Sequence, residues 1–149
     1  LLSLLYAHAL RRRRSLELTP LEIFDTRSSI VAHLLAAGVG LLTSAHDVSE
    51  GGLAQTLVES TLRHDVGVVV TVNDDAFTAL FSESAGRVVV TVDSGDADAL
   101  TSLANDHGVV ATPLGVTAGS ALVVDGQFEL PLAELRTAWA ATLPAALGG

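Results

Sequence analysis

The sequence predicts a mixed α/β (α+β) fold, with helices packed on a mixed sheet as a three-layer sandwich. Three observations predict it. Apolar runs at helical spacing alternate with short β-branched runs such as Val66 to Val72 and Val88 to Val92, and each helix stripe needs a sheet face to cover it. Asp125-Gly126 lies between two short extended runs, the mark of a two-residue hairpin, so at least one strand pair is antiparallel. The chain has 149 residues, 49% hydrophobic and only 17% charged, enough to bury one core.

Residues 1 to 27 are expected to be an atypical N-terminal extension or linker, with the domain proper running from 28 to 149. In the extension, Leu1, Leu2, Leu4, Leu5 and Leu10 make a helical stripe and Arg11 to Arg14 a solvated charged arm. Thr19-Pro20 reads as a break, because a residue before proline is pushed out of the helical region. From Ser28 or Ser29, Ile30, Val31, Leu34 and Leu35 recur at helical spacing until Gly38 and Gly40 stop the helix. His33 in that helix lacks a second ligand at helical spacing and is read as an ordinary side chain.

Leu41 and Leu42 then lead, extended, into Ser44-Ala-His-Asp-Val-Ser-Glu-Gly-Gly-Leu53. After it, Leu53, Leu57, Val58 and Leu62 form the stripe of a helix. Val66 to Val72 has the composition of a strand buried on both faces. Asn73 or Asp74 caps a short helix through Phe77 and Leu80, and Val88 to Val92 is another buried strand. Asp93, Asp96 and Asp98 precede a helix from Ala97 to Asp106; their spacing does not fit a calcium loop, so they read as turn and capping residues. Val109 to Leu114, Ala121 to Val124 and Gln127 to Leu130 are strands. Pro131 opens a last helix with Leu132, Leu135, Trp139 and Leu143 on one face, where Trp139 is expected to be a packing anchor.

Composition narrows the function. The net charge is −9, and all eight basic residues are arginines; a nucleic-acid surface needs basic side chains to neutralise phosphates, so nucleic acid is not the expected partner. There is no cysteine, which removes disulfides and thiolate metal sites. No apolar run approaches the roughly 20 residues that span a bilayer. The chain has no methionine and starts at Leu1, which suggests a piece of a longer reading frame.

Two stretches carry chemistry. In the first, Gly51 and Gly52 lack a β-carbon and stand where the unpaired N–H groups of a helix start point outward, so they are candidates to meet a phosphate. Ser49 is a candidate cap or ligand contact, and Asp47 a candidate carboxylate for the magnesium ion that such a phosphate carries. The plain alternative is that Ser49 is an ordinary N-cap and the glycines a tight turn. His46 adjoins Asp47, but neighbours on an extended segment point to opposite sides, so no catalytic role is assigned to it. The second stretch is Phe81-Ser-Glu-Ser-Ala-Gly-Arg-Val-Val-Val90.

Together the two stretches resemble the last domain of the phosphoribosylformylglycinamidine synthase family, the synthetase component of a purine-pathway amidotransferase. The likeness covers residues from about 28 to the end. It implies the fold of the C-terminal domain of aminoimidazole ribonucleotide synthetase, with a partly ferredoxin-like topology. It also implies part of an ATP-dependent C–N ligase that converts formylglycinamide ribonucleotide and glutamine-derived ammonia to the amidine. By the same likeness Asp47 binds magnesium, and Ser82, Glu83 and Ser84 join Ser49, Gly51 and Gly52 as phosphate or nucleotide contacts. Ala85 stands where the family's other copy of this domain has glutamine, and Gly51-Gly52 where that copy has alanine-glycine. Those departures suit a nonproductive nucleotide site or a structural one.

No catalytic residue is carried over. ATP and magnesium are expected to be held mainly by other domains, and the chain alone to be inactive. The expected partners are preceding ATP-handling domains, a glutaminase and a small accessory subunit, with self-association as a further expectation, no membrane partner, and the cytoplasm as compartment. Two alternatives are a partner domain of a hydrogenase-maturation, thiamine-phosphate kinase or selenophosphate synthetase protein, and a noncatalytic interaction domain.

Overall fold

Val88, Val90 and Val92 belong to one buried cluster and Val89 to another. Such alternation requires a strand covered on both faces. The computed structural model, which describes residues 19–25, 39–72, 75–84 and 86–146, shows what covers it. The elements are β1 (Thr19–Asp25), β2 (Leu42–Asp47), α1 (Gly52–His64), β3 (Val68–Val70), α2 (Ala76–Phe81), β4 (Arg87–Val92), α3 (Ala97–Asp106), β5 (Val110–Thr117), β6 (Ala121–Val124), β7 (Phe128–Pro131) and α4 (Leu132–Ala146). The strands form one seven-stranded sheet in the order β2-β4-β1-β5-β3-β6-β7. Neighbours are antiparallel except for β3 and β6, which are parallel.

Leu53 and Leu57 of α1, Leu80 of α2 and Leu135 of α4 pack with Leu21, Ile23, Val70, Val89 and Val124 on one face. Leu100 and Ala104 of α3 pack with Val88, Val90 and Val92 on the other. Helices, sheet and helix thus make the three layers that the alternation predicted. A buried leucine on such a face stabilises the fold by about 1.5–3 kcal/mol relative to exposure.

The sequence placed residues 1 to 27 outside the domain. Thr19–Asp25 is instead a central strand, paired antiparallel with β4 on one side and β5 on the other. Leu21 and Ile23 are buried. Pro20 lies within the first two residues of that strand, opposite Val116, rather than at a break, because the alternation of Leu21 and Ile23 carries an apolar face into the sheet. The helix expected from Ser28 and the arginine run lie outside the described residues.

Elsewhere the differences are local. β2 runs through Ser44, Ala45, His46 and Asp47, so the first four of the motif's ten residues are strand. The run expected to be buried on both faces shrinks to Val68–Val70, with Val69 37% exposed. Trp139 is 51% exposed and does not anchor the core: Leu132 is buried and Leu135 partly so, and α4 lies outward beyond them.

The N-cap of α2 is Asp75, one residue beyond the pair that the sequence suggested; its carboxylate accepts from the N–H groups of Phe77 and Thr78, each at 3.3 Å. The Thr78 hydroxyl, at 2.6 Å, and then the Thr78 N–H hold the Asp75 carboxyl below its ordinary value of 3.8. A depressed carboxyl contributes stability that is full above the unfolded value and lost as pH falls through the folded one. An Asp75→Ala chain is therefore expected to melt below the parent at neutral pH, and the gap to close as the buffer is taken below about pH 4. Melting curves over that pH range check it; a gap unchanged by acid would contradict it.

Candidate functional site

β2 ends and α1 begins within five residues, which puts the first motif at a strand-to-helix corner. The corner is closed by a turn, with the Gly52 N–H donating to the Ser49 carbonyl at 3.0 Å. Gly51 is the N-cap and adopts the left-handed conformation with φ 80°, and no side chain caps the helix there. Ser49 is exposed and is not the cap.

The second motif comes to the same corner. The Gly51 N–H donates to Glu83 Oε1 at 2.9 Å, which joins residues separated by 32 positions. Ser82 ends α2, its N–H donating to the Thr78 carbonyl at 3.0 Å, and Arg87 Nη1 donates to the Ser82 carbonyl at 3.4 Å and to its hydroxyl at 3.3 Å. The Val48 N–H donates to the Arg87 carbonyl at 2.9 Å, which ties the start of β4 to the corner. Ser84 is exposed. The pairing of the two motifs is therefore physical.

The two glycines do different things. Gly51 is exposed, whereas Gly52 is buried. A β-carbon on Gly52 would lie 2.7 Å from the Leu80 carbonyl oxygen and 2.9 Å from the Phe81 carbonyl carbon, so this glycine lets α1 and α2 touch backbone to backbone. Both glycines were expected to face a ligand; Gly51 is open to solvent, and Gly52 is turned against α2.

Asp47 closes β2 with its side chain 75% exposed. Its carbonyl accepts from the Thr56 hydroxyl at 3.1 Å and lies 2.7 Å from His46 Nδ1. His46 Nε2 in turn lies 3.0 Å from Glu59 Oε2, and Gln55 Nε2 donates to Glu59 Oε1 at 3.0 Å. His46 therefore straps β2 to α1, a role that sequence adjacency did not suggest. Among the described residues no group of three or more histidines, aspartates or glutamates is placed to share a metal ion. Asp47 could serve magnesium only as a single carboxylate, alongside phosphate oxygens and water.

Sequence reasoning assigned no role to Arg87, Glu59 or Arg136. Arg136 Nη2 donates to the Leu62 carbonyl at 3.2 Å and to Asp65 Oδ1 at 2.9 Å, closing the far end of α1. There an open groove of about 850 Å³ is lined by Asp65, Ser120, Leu132, Arg136, Thr137 and Ala141 among others. A 13-residue helix separates it from the motif pair, about 20 Å of axial rise.

Residues 16–125 match the family described as AIR synthase related protein, C-terminal domain. The phosphoribosylformylglycinamidine synthase subunit PurL of a Nocardioides species is 67% identical over 118 residues, which is 79% of this chain and 16% of that protein. The subunit of the same name from Thermobifida fusca is 51% identical over 115 residues, 75% of this chain and 15% of that protein. The chain thus spans about one-sixth of the length of these relatives. Among solved structures, Thermotoga maritima PurL complexed with AMPPCP superposes with a TM-score of 0.72 at 17% identity, covering 86% of this chain and 27% of that one. The same protein complexed with ATP gives 0.69 at 18% identity, covering 78% and 25%. At those identities the structural likeness establishes the fold.

Proposed function

We propose, from the premise that this chain belongs to the AIR synthase related protein C-terminal domain family, that it serves as the last domain of a phosphoribosylformylglycinamidine synthase. The observation that carries the reading is the 67% identity to the Nocardioides PurL subunit across most of the chain. The likeness to thiamine-monophosphate kinase from Stenotrophomonas maltophilia, at a TM-score of 0.57, extends to the shared fold and gives that alternative no comparable sequence support.

In this reading the whole enzyme is an ATP-dependent C–N ligase of purine biosynthesis. ATP supplies a phosphoryl group that turns an amide oxygen into a leaving group, and ammonia from a glutaminase displaces it to give the amidine. Such a transfer depends on positioning and on neutralised charge. This chain contributes a wall of the cleft. Asp47 offers one carboxylate to a magnesium ion arriving with the phosphates, and Ser49, Ser82 and Ser84 offer hydroxyls at the nucleotide-facing corner, whose shape Gly51, Gly52 and Glu83 set. Exposure of Asp47, Ser49 and Ser84 on one corner supports this placement, with Gly52 acting through packing.

Binding of the nucleotide falls mainly to other domains; the AMPPCP- and ATP-complexed structures of Thermotoga maritima PurL that share this fold support ATP as that nucleotide. The partners are the ATP-handling domains, a glutaminase and a small accessory subunit; the likeness to a chain of Thermotoga maritima PurLQS supports this. Phe77 is 71% exposed and Trp139 51%, apolar surface suited to covering by other domains or by a second copy. No described helix is long and apolar enough to cross a membrane, and the cytoplasm is the proposed compartment.

A chimera tests the reading. The Nocardioides PurL segment that this chain matches is replaced by this chain's residues, and ATP-dependent amidine formation from formylglycinamide ribonucleotide and ammonia is measured. Activity is expected within about tenfold of the parent, a barrier change of about 1.4 kcal/mol. The chain alone is expected to show no turnover. A folded chimera without activity would overturn the assignment.

A further inference from the structure

We propose that the Glu83 carboxylate is the resident anion of the α1 N-terminus, an internal latch that keeps phosphate off the Gly51 N–H. The positive end of a helix attracts negative charge, commonly an acid in its own first turn. α1 has no acid in its first turn and no side-chain cap. Glu83 reaches across from the loop after α2 and accepts the Gly51 N–H at 2.9 Å, the length of a charge-assisted bond. A phosphate oxygen taking that N–H would have to stand where the carboxylate stands, and two anions on one donor repel.

The residue before Glu83 is held from two directions. The Ser82 N–H donates to the Thr78 carbonyl, and Arg87 Nη1 donates to the Ser82 carbonyl and hydroxyl. Arg87 is itself tied to the corner through the Val48 N–H. On the other flank, the Leu80 and Phe81 backbone abuts the α-carbon of Gly52, and the Gly52 N–H is spent on the Ser49 carbonyl. Glu83 is therefore presented to Gly51 from an anchored neighbour. In consequence, the Gly51–Glu83 pair joins α1 to the α2–β4 loop, and this chain's motif pair acts as a clasp. The inference rests on the cleft reading above only in naming phosphate as the excluded ligand.

Amide NMR on the full chain tests it, with inorganic phosphate as the probe and Glu83→Gln and Glu83→Ala as variants. In Glu83→Ala, hydrogen exchange at the Gly51 amide is expected to speed up about tenfold or more, Glu83→Gln falling between, while Val90 and Val124 in the sheet keep their protection. Millimolar phosphate is expected to leave the parent's Gly51 resonance in place. A parent Gly51 resonance that moves with phosphate, or a Glu83→Ala chain with unchanged Gly51 exchange, would overturn the latch. In Glu83→Ala the same phosphate is expected to move the Gly51 resonance; if it does not, the exclusion of phosphate is overturned and the Gly51–Glu83 bond is a structural clasp alone.

Discussion

A Gly115→Ala chain is expected to lose about 3 kcal/mol of stability or more, enough to shift its denaturant midpoint sharply or leave it insoluble. Gly115 pairs with Val70 of β3 and with Leu21 of β1, in the middle of the sheet. The β1–β5 register slips between Leu21 and Glu22, whose partners are Gly115 and Pro113, so β5 carries an extra residue at this point, as in a bulge. A β-carbon on Gly115 would overlap the Val69 carbonyl oxygen and come within 2.9 Å of both the Val69 carbonyl carbon and the Val70 α-carbon. Those atoms are backbone held in a hydrogen-bonded ladder, so relief requires two central strands to part. Against a total stability of about 5–15 kcal/mol for a typical domain, that is a large share. Urea unfolding checks it, and a parent-like midpoint would show that the strands can spread at little cost.

Gly52→Ala is expected to cost a similar amount, about 3 kcal/mol, while Gly51→Ala costs less, about 2. Both glycines lie at positive φ, 65° and 80°, so both substitutions carry the left-handed penalty. What separates them is the neighbour. At Gly52 the new β-carbon would meet the Leu80 and Phe81 backbone of a second helix at 2.7 to 3.0 Å, whereas at Gly51, on the exposed end of α1, it would meet Gln55 Cβ at 2.7 Å and Cγ at 3.2 Å within its own helix. Loss of the α1–α2 contact would also displace Leu53 and Leu80, both buried in the main cluster. Paired thermal melts of the two variants decide between a packing glycine and a ligand-facing one. Equal losses would contradict the distinction.

Legibility in the sequence followed how local each signal was. α3 spans the residues that the spacing marked, Ala97 to Asp106, and β6 spans Ala121 to Val124, because period and flanking turns are written in neighbouring residues. β1 was missed because an arginine run and Pro20 masked two inward residues whose partners lie about 70 and 90 positions away in β4 and β5. Trp139 was misplaced for a related reason. Its spacing from Leu132 and Leu135 puts it on the core side of α4, but periodicity does not say how far a helix runs over the body that covers it.

The candidate site divides along the same line. Its residue types and the two motifs were visible in the chain, and so was their likeness to a family, because glycines, hydroxyls and acids at fixed offsets are a one-dimensional pattern. That Gly52 serves packing, that Glu83 occupies the Gly51 N–H, and that His46 straps β2 to Glu59 depended on contacts between segments far apart in sequence. Local spacing dictated the described helices, the antiparallel β6–β7 pair, whose turn takes three residues where two were expected, and the alternating layers; which amide meets which carboxylate was settled by folding, since a hydrogen bond needs two groups within about 3 Å and the chain's order alone sets no such distance.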